Sequence, residues 1–344
     1  MIAKLGVMVY TFMQKIGSNG GTVMAEKTEI SFLSSDGRTT VYATLWKPEG
    51  EPLGVIQICH GMAEHIGRYE WLAGQLCERG YAVCGDDHLG HGRTALSEED
   101  LGYFGENGGW DHLIEDEHGM RRELEKRFPD RPLYLLGHSM GSFITRGYVA
   151  RHGNGLAGYI CWGTSGPVPG MGFGLLLTNL LCVFGQGEKR GRFIDKIAHK
   201  GYLDQVTEEK TGLGLEWLSR DPSVYQPFDD DPKGNFIFTN AGFRDLFRLL
   251  KNVKGPRWSD RVPKDLPILI MSGDKDPVGQ FGKGPRLVAG WLRDSGVRDV
   301  TLKLYEGARH ELHNEINRDE VVADLTSWLK DHGNKEDTAN GSDS

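Results

Sequence analysis

The stretch that decides the fold of this 344-residue chain reads Leu133-Tyr134-Leu135-Leu136-Gly137-His138-Ser139-Met140-Gly141. Its apolar first part predicts a buried strand, and the bulky residues that follow it recur at helical spacing. Gly137 and Gly141 are the small residues that a strand and a helix need where they approach closely, and they place Ser139 on the tight turn between the two. A nucleophile would occupy this position, although a chain with 48 glycines could also contain such a pentapeptide in a plain turn.

Eight strand-like segments occur along the chain. They are Thr28–Ser34, Thr40–Trp46, Gly54–Cys59, Tyr81–Gly85, Leu133–Leu136, Leu156–Trp162, Ile268–Met271 and Val300–Tyr305. The turn Ser35-Asp36-Gly37 between the first two predicts an antiparallel hairpin. From the third segment onward, strands alternate with helix-like segments. This alternation predicts an α/β fold with a mostly parallel eight-stranded sheet and helices on both faces.

A segment of different composition interrupts the alternation after the sixth strand. Residues 166–265 are rich in glycine, aromatic residues and scattered charge, and we expect them to form an inserted helical cap. Residues 26–165 and 266–331 would then form the body. We expect residues 1–25 to be a poorly ordered extension and the polar residues 332–344 to be a disordered tail.

Composition and charge exclude several classes of protein. The formal net charge is −8, and no run of lysine and arginine is dense enough to bind nucleic acid. The N-terminal stretch has neither the features of a secretory signal nor the length of a membrane span. The cysteines are odd in number and lack the spacing of disulfides or zinc sites, which predicts reduced thiols in a cytoplasmic protein. They are Cys59, Cys77, Cys84, Cys161 and Cys182.

A serine hydroxyl becomes a nucleophile only when a base accepts its proton and an acid orients that base. Asp276 follows the seventh strand-like segment and His310 follows the eighth, so both lie at carboxyl ends of strands, which face one crevice in a parallel sheet. The chain order Ser139, Asp276, His310 is one of the recurring orders of such triads. The neighbours Asp274 and His313 are alternatives, for which we expect a turn and a structural role.

An oxyanion hole requires two backbone N–H groups that face the developing charge, and the loss of one costs about 3 kcal/mol in the transition state. We expect Met140 to supply one of them, because it directly follows the serine. The loop His60-Gly61-Met62-Ala63-Glu64-His65 after the third strand should supply the other, through Met62. This loop is also compatible with a simple turn before a helix, held by hydrogen bonds of its own side chains.

A second polar loop, Gly85–Thr94, contains acidic and histidine residues that could bind a metal. They are Asp86, Asp87, His88 and His91. Their spacing matches no zinc or hydrolase pattern. We therefore expect a tight polar loop and no metal.

The cap contains the apolar run Gly172–Leu181, which is too short to cross a membrane. It predicts either a helix packed on the body or a surface that faces lipid or lines an acyl pocket. We name Phe173, Leu176 and Leu177 as candidate substrate-binding residues, with transient contact to a membrane surface as a further role of the cap.

Four motifs give the chain a clear resemblance to the α/β-hydrolase superfamily, and within it to the monoacylglycerol lipase and lysophospholipase-like group of the serine aminopeptidase S33 type. The motifs are His60-Gly61-Met62-Ala63-Glu64-His65-Ile66-Gly67-Arg68-Tyr69, Asp87-His88-Leu89-Gly90-His91-Gly92-Arg93-Thr94, Gly137-His138-Ser139-Met140-Gly141-Ser142 and Tyr305-Glu306-Gly307-Ala308-Arg309-His310. The resemblance implies Ser139 as nucleophile, His310 as base and Asp276 as orienting acid. It also implies an oxyanion hole at Met62 and Met140, a helical cap over an acyl pocket, and no cofactor.

The function that this resemblance implies is a carboxylic-ester hydrolase that acts on small acyl esters or single-chain lipids through an acyl-enzyme. Two alternatives remain, a proline-iminopeptidase-like aminopeptidase and a non-catalytic binding protein of the same fold. A peptidase needs cap carboxylates to bind the substrate amine, and the candidates are Glu208, Glu209, Asp229, Asp230 and Asp231. We expect a cytoplasmic protein, at most peripheral to membranes, and the sequence does not indicate its oligomeric state.

Overall fold

The computed structural model describes residues 10–13, 25–204, 206 and 211–333, and all structural statements below concern these residues. Nine strands of this part of the chain form one sheet. They are β1 (Tyr10–Met13), β2 (Glu26–Leu33), β3 (Thr40–Lys47), β4 (Gly54–Cys59), β5 (Tyr81–Asp87), β6 (Leu133–His138), β7 (Gly158–Trp162), β8 (Ile268–Gly273) and β9 (Val300–Tyr305). The strand order is β1-β2-β3-β5-β4-β6-β7-β8-β9. The pairs from β1 to β3 and the pair β3 with β5 are antiparallel, and the other pairs are parallel.

The predicted sheet of eight mostly parallel strands is confirmed by β2 to β9. β1 is an additional edge strand, which pairs antiparallel with β2 and falls within the predicted N-terminal extension. Residues 1–9 and 14–24 of that extension, and residues 334–344 of the predicted tail, lie outside the described residues. His332 and Gly333 of the predicted tail belong to the last helix.

Helices connect the strands and cover both faces of the sheet. They are α1 (Glu70–Glu78), α2 (Gly109–Arg127), α3 (Met140–His152), α4 (Met171–Val183), α5 (Arg192–Ala198), α6 (Tyr225–Asp229), α7 (Asn240–Asn252), α8 (Lys283–Asp294) and α9 (Arg318–Gly333). Because both faces are covered, the central strands β4, β6 and β7 are buried along their whole length.

The side chains of the central strands alternate between two hydrophobic layers, because successive residues of a strand face opposite sides of the sheet. In β6, Leu133 and Leu135 join the layer under α2, α3, α7 and α8. Tyr134 and Leu136 join the layer under α1 and α9. The apolar stripe expected for the last helix packs in this second layer through Val321, Val322, Leu325, Trp328 and Leu329.

The chain between β7 and β8 contains α4 to α7, the segment expected to form a cap. α4 and α7 pack against each other, and a Cβ atom added to Gly174 of α4 would lie 2.8 Å from the Phe247 ring of α7. The Thr239 hydroxyl caps the start of α7 and accepts a hydrogen bond from Gly242 N at 3.0 Å. Phe243 and Leu249 of α7 are buried in the hydrophobic layer of the body. α7 therefore seats this segment on the body.

Candidate active site

Ser139 lies on a strained turn between β6 and α3. Its φ of 53° and ψ of −119° place a non-glycine residue at positive φ, which is costly and is typical of functional sites. A Cβ atom added to Gly137 would lie 2.1 Å from Thr145 Oγ1, and one added to Gly141 would lie 2.1 Å from the carbonyl oxygen of Cys59. The expectation that only small residues fit at these two positions is confirmed.

The structure brings together Ser139, His310 and Asp276. Ser139 Oγ lies 2.8 Å from His310 Nε2, and His310 Nδ1 lies 3.0 Å from Asp276 Oδ1. The backbone N–H of Val278 donates to Asp276 Oδ1 at 2.8 Å, which fixes the carboxylate in the loop after β8. The histidine and the aspartate are both buried. Their side chains thus lie within hydrogen-bond reach of each other, in the order that a proton relay from the serine requires.

The pKa of His310 lies above its usual value. Burial lowers this pKa, but the negative charge of Asp276 and the hydrogen bond to it raise it, and the more distant Glu311 and Glu64 add to the rise. The site therefore favours the imidazolium form, which is the form that a base adopts after it takes a proton from a serine.

The loop between β4 and α1 runs beside the serine. A Cβ atom added to Gly61 would lie 3.2 Å from Ser139 Cβ. The N–H groups on either side of Met62 are engaged, since Gly61 N donates to Glu64 Oε1 at 2.5 Å and Ala63 N donates to His91 Nε2 at 3.3 Å. For the Met62 N–H itself, the described part of the chain provides no acceptor.

The second expected donor is the N–H of Met140, which is the first residue of α3. The first N–H groups of a helix have no acceptor within the helix, and the positive end of the helix dipole lies at the same place. Among the described residues neither N–H group has an acceptor, so both remain candidates for the predicted oxyanion hole.

A salt bridge that we did not predict connects this loop to the residue after the histidine. Arg68 donates to Glu64 Oε2 at 2.6 Å and to both carboxylate oxygens of Glu311 at 2.7 and 2.8 Å. Glu311 directly follows His310, so the bridge connects the loop of Met62 to the loop of the histidine. Burial raises the pKa of Glu311, but Arg68 lowers it by a larger amount. The net pKa of Glu311 therefore lies below its usual value. The sequence showed Glu64 and Arg68 within a motif but gave no sign of their partner.

Two further side chains, the buried His138 and the half-buried Trp217, lie beside the histidine. The ring of His138 lies 4.9 Å from that of His310, and its Nδ1 lies 2.8 Å from the Tyr69 hydroxyl. Trp217, from the segment between β7 and β8, lies 5.1 Å from the His310 ring. These aromatic contacts restrict the orientation of the histidine ring.

The two alternative residues occupy other positions. Asp274 Oδ1 accepts a hydrogen bond from Gly307 N at 2.8 Å, so it holds the turn after β9. The His313 ring stacks on Tyr69 with centroids 4.6 Å apart, and burial lowers the pKa of His313 to about 3. A turn role for Asp274 and a structural role for His313 agree with these contacts.

The polar loop considered for a metal forms a buried cluster with α2. Ligand atoms of Cys59, His88 and Glu117 lie within 4.8 Å of one another. However, both nitrogens of His88 are engaged, since Nδ1 lies 3.2 Å from Asp86 Oδ2 and Nε2 lies 3.2 Å from the carbonyl oxygen of His60. This arrangement favours protons shared among the side chains over metal ligation.

Burial and neighbouring charges shift the pKa values of this cluster. Burial, together with the charge of Asp86, raises the pKa of Glu117 to about 8. Burial by itself lowers the pKa of His88, but Asp86 and Glu117 raise it to about 9. Burial and Asp86 therefore favour a proton on Glu117, and Asp86 and Glu117 favour a proton on His88.

The cap residues named from the sequence differ in exposure. Phe173 is 68% exposed and Leu176 is 58% exposed, whereas Leu177 is half-buried and packs against the hydrophobic layer of the body. Of the carboxylates considered for amine binding, Asp231 lies 2.7 Å from His65 Nε2. Glu208 and Glu209 lie outside the described residues.

The sheet topology, the strained serine at the end of a central strand, and the later aspartate and histidine define the chain as an α/β-hydrolase. Residues 50–317 match the family described as serine aminopeptidase, S33. The chain belongs to this family, as its motifs predicted.

Proteins of known activity resemble it over most of its length. The chain is 30% identical over 310 residues to a monoacylglycerol lipase of Mycolicibacterium smegmatis, which covers 90% of this chain and 99% of that protein. It is 27% identical over 300 residues to a monoglyceride lipase of Mus musculus, covering 86% and 88% of the two chains. The crystal structure of a carboxyl esterase from Bacillus coagulans, in complex with glycerol, superposes with a TM-score of 0.84 at 35% identity and covers 90% of this chain and 99% of that one. The chain is thus an ester-hydrolysing enzyme, a carboxylic-ester hydrolase.

Among the described residues, no helix combines the length and the apolar character needed to cross a bilayer.

Proposed function

We propose that this enzyme is a serine esterase of the monoacylglycerol lipase type, with Ser139 as nucleophile, His310 as base and Asp276 as orienting acid. The observation that carries this proposal is the pair of contacts made by the histidine, 2.8 Å to Ser139 Oγ and 3.0 Å to Asp276 Oδ1. The lipase and esterase relatives support the same chemistry.

The first half of the reaction forms an acyl-enzyme. Ser139 Oγ attacks the carbonyl carbon of the ester while His310 Nε2 takes the hydroxyl proton. The carbonyl oxygen becomes an oxyanion and accepts hydrogen bonds from the N–H groups of Met62 and Met140, each worth about 3 kcal/mol. The bond to the alcohol oxygen then breaks, and the imidazolium gives its proton to that oxygen. The alcohol leaves and the acyl group remains on the serine.

The second half of the reaction releases the acid. A water molecule attacks the acyl carbonyl and gives a proton to His310, and the second oxyanion occupies the same hole. The bond to Ser139 breaks, and the histidine returns the proton to the serine oxygen. The products are a carboxylic acid and the free enzyme.

We further propose that the substrates are single-chain acyl esters. We also propose that an apolar surface of the cap contacts lipid. α4 exposes Phe173, Leu176, Leu180, Val183 and, just after its end, Phe184. These residues recur at helical spacing and form one stripe, which we call the apolar cap face. A stripe of this kind suits reversible contact with a lipid surface. The half-buried Leu177 on the same helix is our candidate for the acyl-facing side. We propose that the enzyme is cytoplasmic and binds lipid surfaces transiently through this face.

A substrate panel with the purified enzyme tests the proposal. We expect hydrolysis of monoacylglycerols and p-nitrophenyl esters, weak or no release from aminoacyl amides, and stoichiometric labelling of Ser139 by a fluorophosphonate. The S139A variant should fold, fail to label and lose turnover. A preference for aminoacyl amides would instead establish the aminopeptidase, and an enzyme that hydrolyses aryl esters but no lipid would refute the lipase assignment.

A further inference from the structure

One short segment of the cap contacts the loop of the proposed oxyanion hole. This segment comprises residues 228–235, which begin at the end of α6 and which we call the cap arm. The backbone N–H of Asn235 donates to the carbonyl oxygen of Ala63 at 2.9 Å. Ala63 directly follows Met62, whose N–H is one of the two proposed oxyanion donors. The cap arm therefore holds the backbone beside a proposed donor.

Both residues of this hydrogen bond have a positive φ, 55° at Ala63 and 47° at Asn235. Such angles are uncommon for residues other than glycine, and asparagine adopts them more readily than alanine. Strain of this kind persists only where surrounding contacts hold it, and it is concentrated at functional sites. Ala63 N also donates to His91 Nε2 at 3.3 Å. The strained residue is thus held by the body at its N–H and by the cap at its carbonyl oxygen.

A pair of His65 and Asp231 forms a second contact between the loop and the cap arm. His65 Nδ1 accepts a hydrogen bond from Gly67 N at 3.1 Å, so the proton of the neutral ring lies on Nε2. This nitrogen donates to Asp231 Oδ2 at 2.7 Å. Asp231 Oδ1 accepts from Lys233 N at 2.8 Å, which fixes the turn of the cap arm. Both carboxylate oxygens are therefore engaged within the protein, which speaks against the amine-binding role considered for Asp231.

The start of the cap arm packs against the arginine that connects the two loops of the site. The guanidinium carbon of Arg68 lies 3.9 Å from the ring centroid of Phe228, a distance at which a cation and an aromatic ring attract each other. Phe228 is buried in a small apolar cluster of the cap that includes Leu218. The carbonyl oxygen of Leu218 accepts from Glu311 N at 2.7 Å. The cap is thus joined both to the loop of Met62 and to the loop of His310.

We propose that the cap arm positions the oxyanion hole, with Asp231 as the positioning residue. Asp231 holds His65 and the backbone of Asn235 holds Ala63, so the loop keeps the conformation in which the Met62 N–H has no partner within the protein. A donor stabilises the developing oxyanion only when it is in place before the reaction. The cap arm therefore acts on kcat and leaves the binding of the substrate unchanged. The inference rests on the proposed function, because it takes Met62 as a donor.

Two single variants and their double variant test the proposal. D231A removes the acceptor for His65. H65N keeps a side-chain acceptor for Gly67 N, because asparagine is a good helix cap, but its side chain is too short to reach Asp231. We expect each variant to lower kcat on soluble p-nitrophenyl acetate on the order of tenfold, less than the roughly 10²- to 10³-fold cost of losing a donor outright. KM should stay unchanged. The double variant should lose no more than either single variant, because all three lack the same interaction.

An inhibitor that resembles the transition state distinguishes positioning from a general loss of structure. In an alkyl trifluoromethyl ketone the carbonyl carbon forms a bond to Ser139 Oγ, the serine proton passes to His310, and the carbonyl oxygen becomes an oxyanion in the proposed hole. We expect the inhibition constant to rise in D231A and H65N by the factor by which kcat/KM falls. Partial unfolding would reduce the number of active sites and leave the inhibition constant unchanged.

D299A provides a matched control. Asp299 Oδ2 lies 2.8 Å from His332 Nε2, in a pair of the same geometry as that of Asp231 with His65. Asp299 directly precedes β9, whereas His310 follows the other end of this strand, so the control pair lies at the opposite edge of the sheet. D299A should leave kcat and the inhibition constant unchanged, even if it lowers the melting temperature.

Wild-type kcat in D231A and H65N would overturn the proposal, and so would a fall in kcat at a constant inhibition constant. Losses that multiply in the double variant, or an equal loss in D299A, would also contradict it. If D231A does not fold, H65N decides. These outcomes would refute the role of the cap arm alone. A wild-type enzyme that hydrolyses no ester and is not labelled at Ser139 by a fluorophosphonate would instead refute the proposed function, and the role of the cap arm with it.

Discussion

Arg68 and Glu311 form a bidentate pair with N–O distances of 2.7 and 2.8 Å, although 243 residues separate them in the sequence. The pair joins the loop that carries Met62 to the residue that follows His310. Arg68 also holds Glu64, and Glu64 in turn binds the N–H of Gly61. One guanidinium thus fixes the proposed oxyanion loop relative to the proposed base.

Removal of this guanidinium should destabilise the protein strongly. R68M would leave Glu64 and Glu311 buried without their cation, and the loss of one partner of a buried ion pair costs about 3–5 kcal/mol. We expect a lower denaturation midpoint in urea and a reduced kcat. The control K126M breaks the exposed pair of Lys126 with Glu123, which should change the stability by less than about 1 kcal/mol. Equal effects of the two variants would show that the bridge is unimportant.

Two glycine substitutions should act in opposite directions. In G141A the new Cβ atom would lie 2.1 Å from the Cys59 carbonyl oxygen, whereas in G290A it meets nothing within 4 Å. Gly290 lies within α8, where alanine is favoured over glycine by about 0.5–1 kcal/mol. We expect G141A to lower the yield of folded protein and G290A to raise the melting temperature. A stable, active G141A would contradict the close approach of β4 and α3.

The pH dependence of kcat/KM should report the pKa of His310. The base must be neutral to accept a proton, so activity should rise with pH through a pKa that lies above the usual value for histidine. D276N removes the charge that raises this pKa. We expect the acid limb of its profile to move to lower pH and kcat to fall, on the order of 10⁴-fold by analogy with other triads. A profile that D276N leaves in place would show that Asp276 does not act on the histidine.

Stability should decrease as the pH rises into the alkaline range. The folded-state pKa values of Glu117, about 8, and of His88, about 9, are both raised, so the stability linked to them is complete below their unfolded values. It is lost as the pH rises through the folded values, at up to about 1.4 kcal/mol per pH unit and proton. The E117Q variant removes one of these two titrating groups, because glutamine does not ionise. The unfolding free energy of E117Q should therefore fall less than that of the wild type between pH 6 and pH 9, as measured in urea. An identical slope in both proteins would contradict the raised pKa of Glu117.

The apolar cap face should affect the activity of the enzyme on aggregated substrates but not on soluble ones. L180S and F184S each remove an exposed apolar side chain from this face. We expect weaker binding to phosphatidylcholine vesicles and a higher apparent KM on emulsified monoacylglycerol, with kinetics on soluble p-nitrophenyl acetate unchanged. L96S provides the matched control, since Leu96 is 80% exposed and lies outside the cap. If L96S lowers vesicle binding as much as L180S does, the face has no special role.

Several features of the protein were determined by the sequence alone, because each depends on residues close together in the chain. The run of four apolar residues before Gly137 predicted β6, and the small residues around Ser139 predicted the tight turn, since steric crowding at an elbow acts between neighbours. The order of strands and helices followed from the period of the apolar residues. Asp276 and His310 could be named because parallel strands present their carboxyl ends at one edge of a sheet.

Other features were decided only by the tertiary structure. The pairing of Arg68 with Glu311 and the cluster of His88 with Glu117 each join side chains from separate elements. Sequence periodicity indicates which face of an element is buried, but not which polar side chain of another element lies opposite to it. In this protein the local sequence determined the backbone of the site. The charges that surround the site were decided by packing, because electrostatic interactions depend on distance through space and on burial.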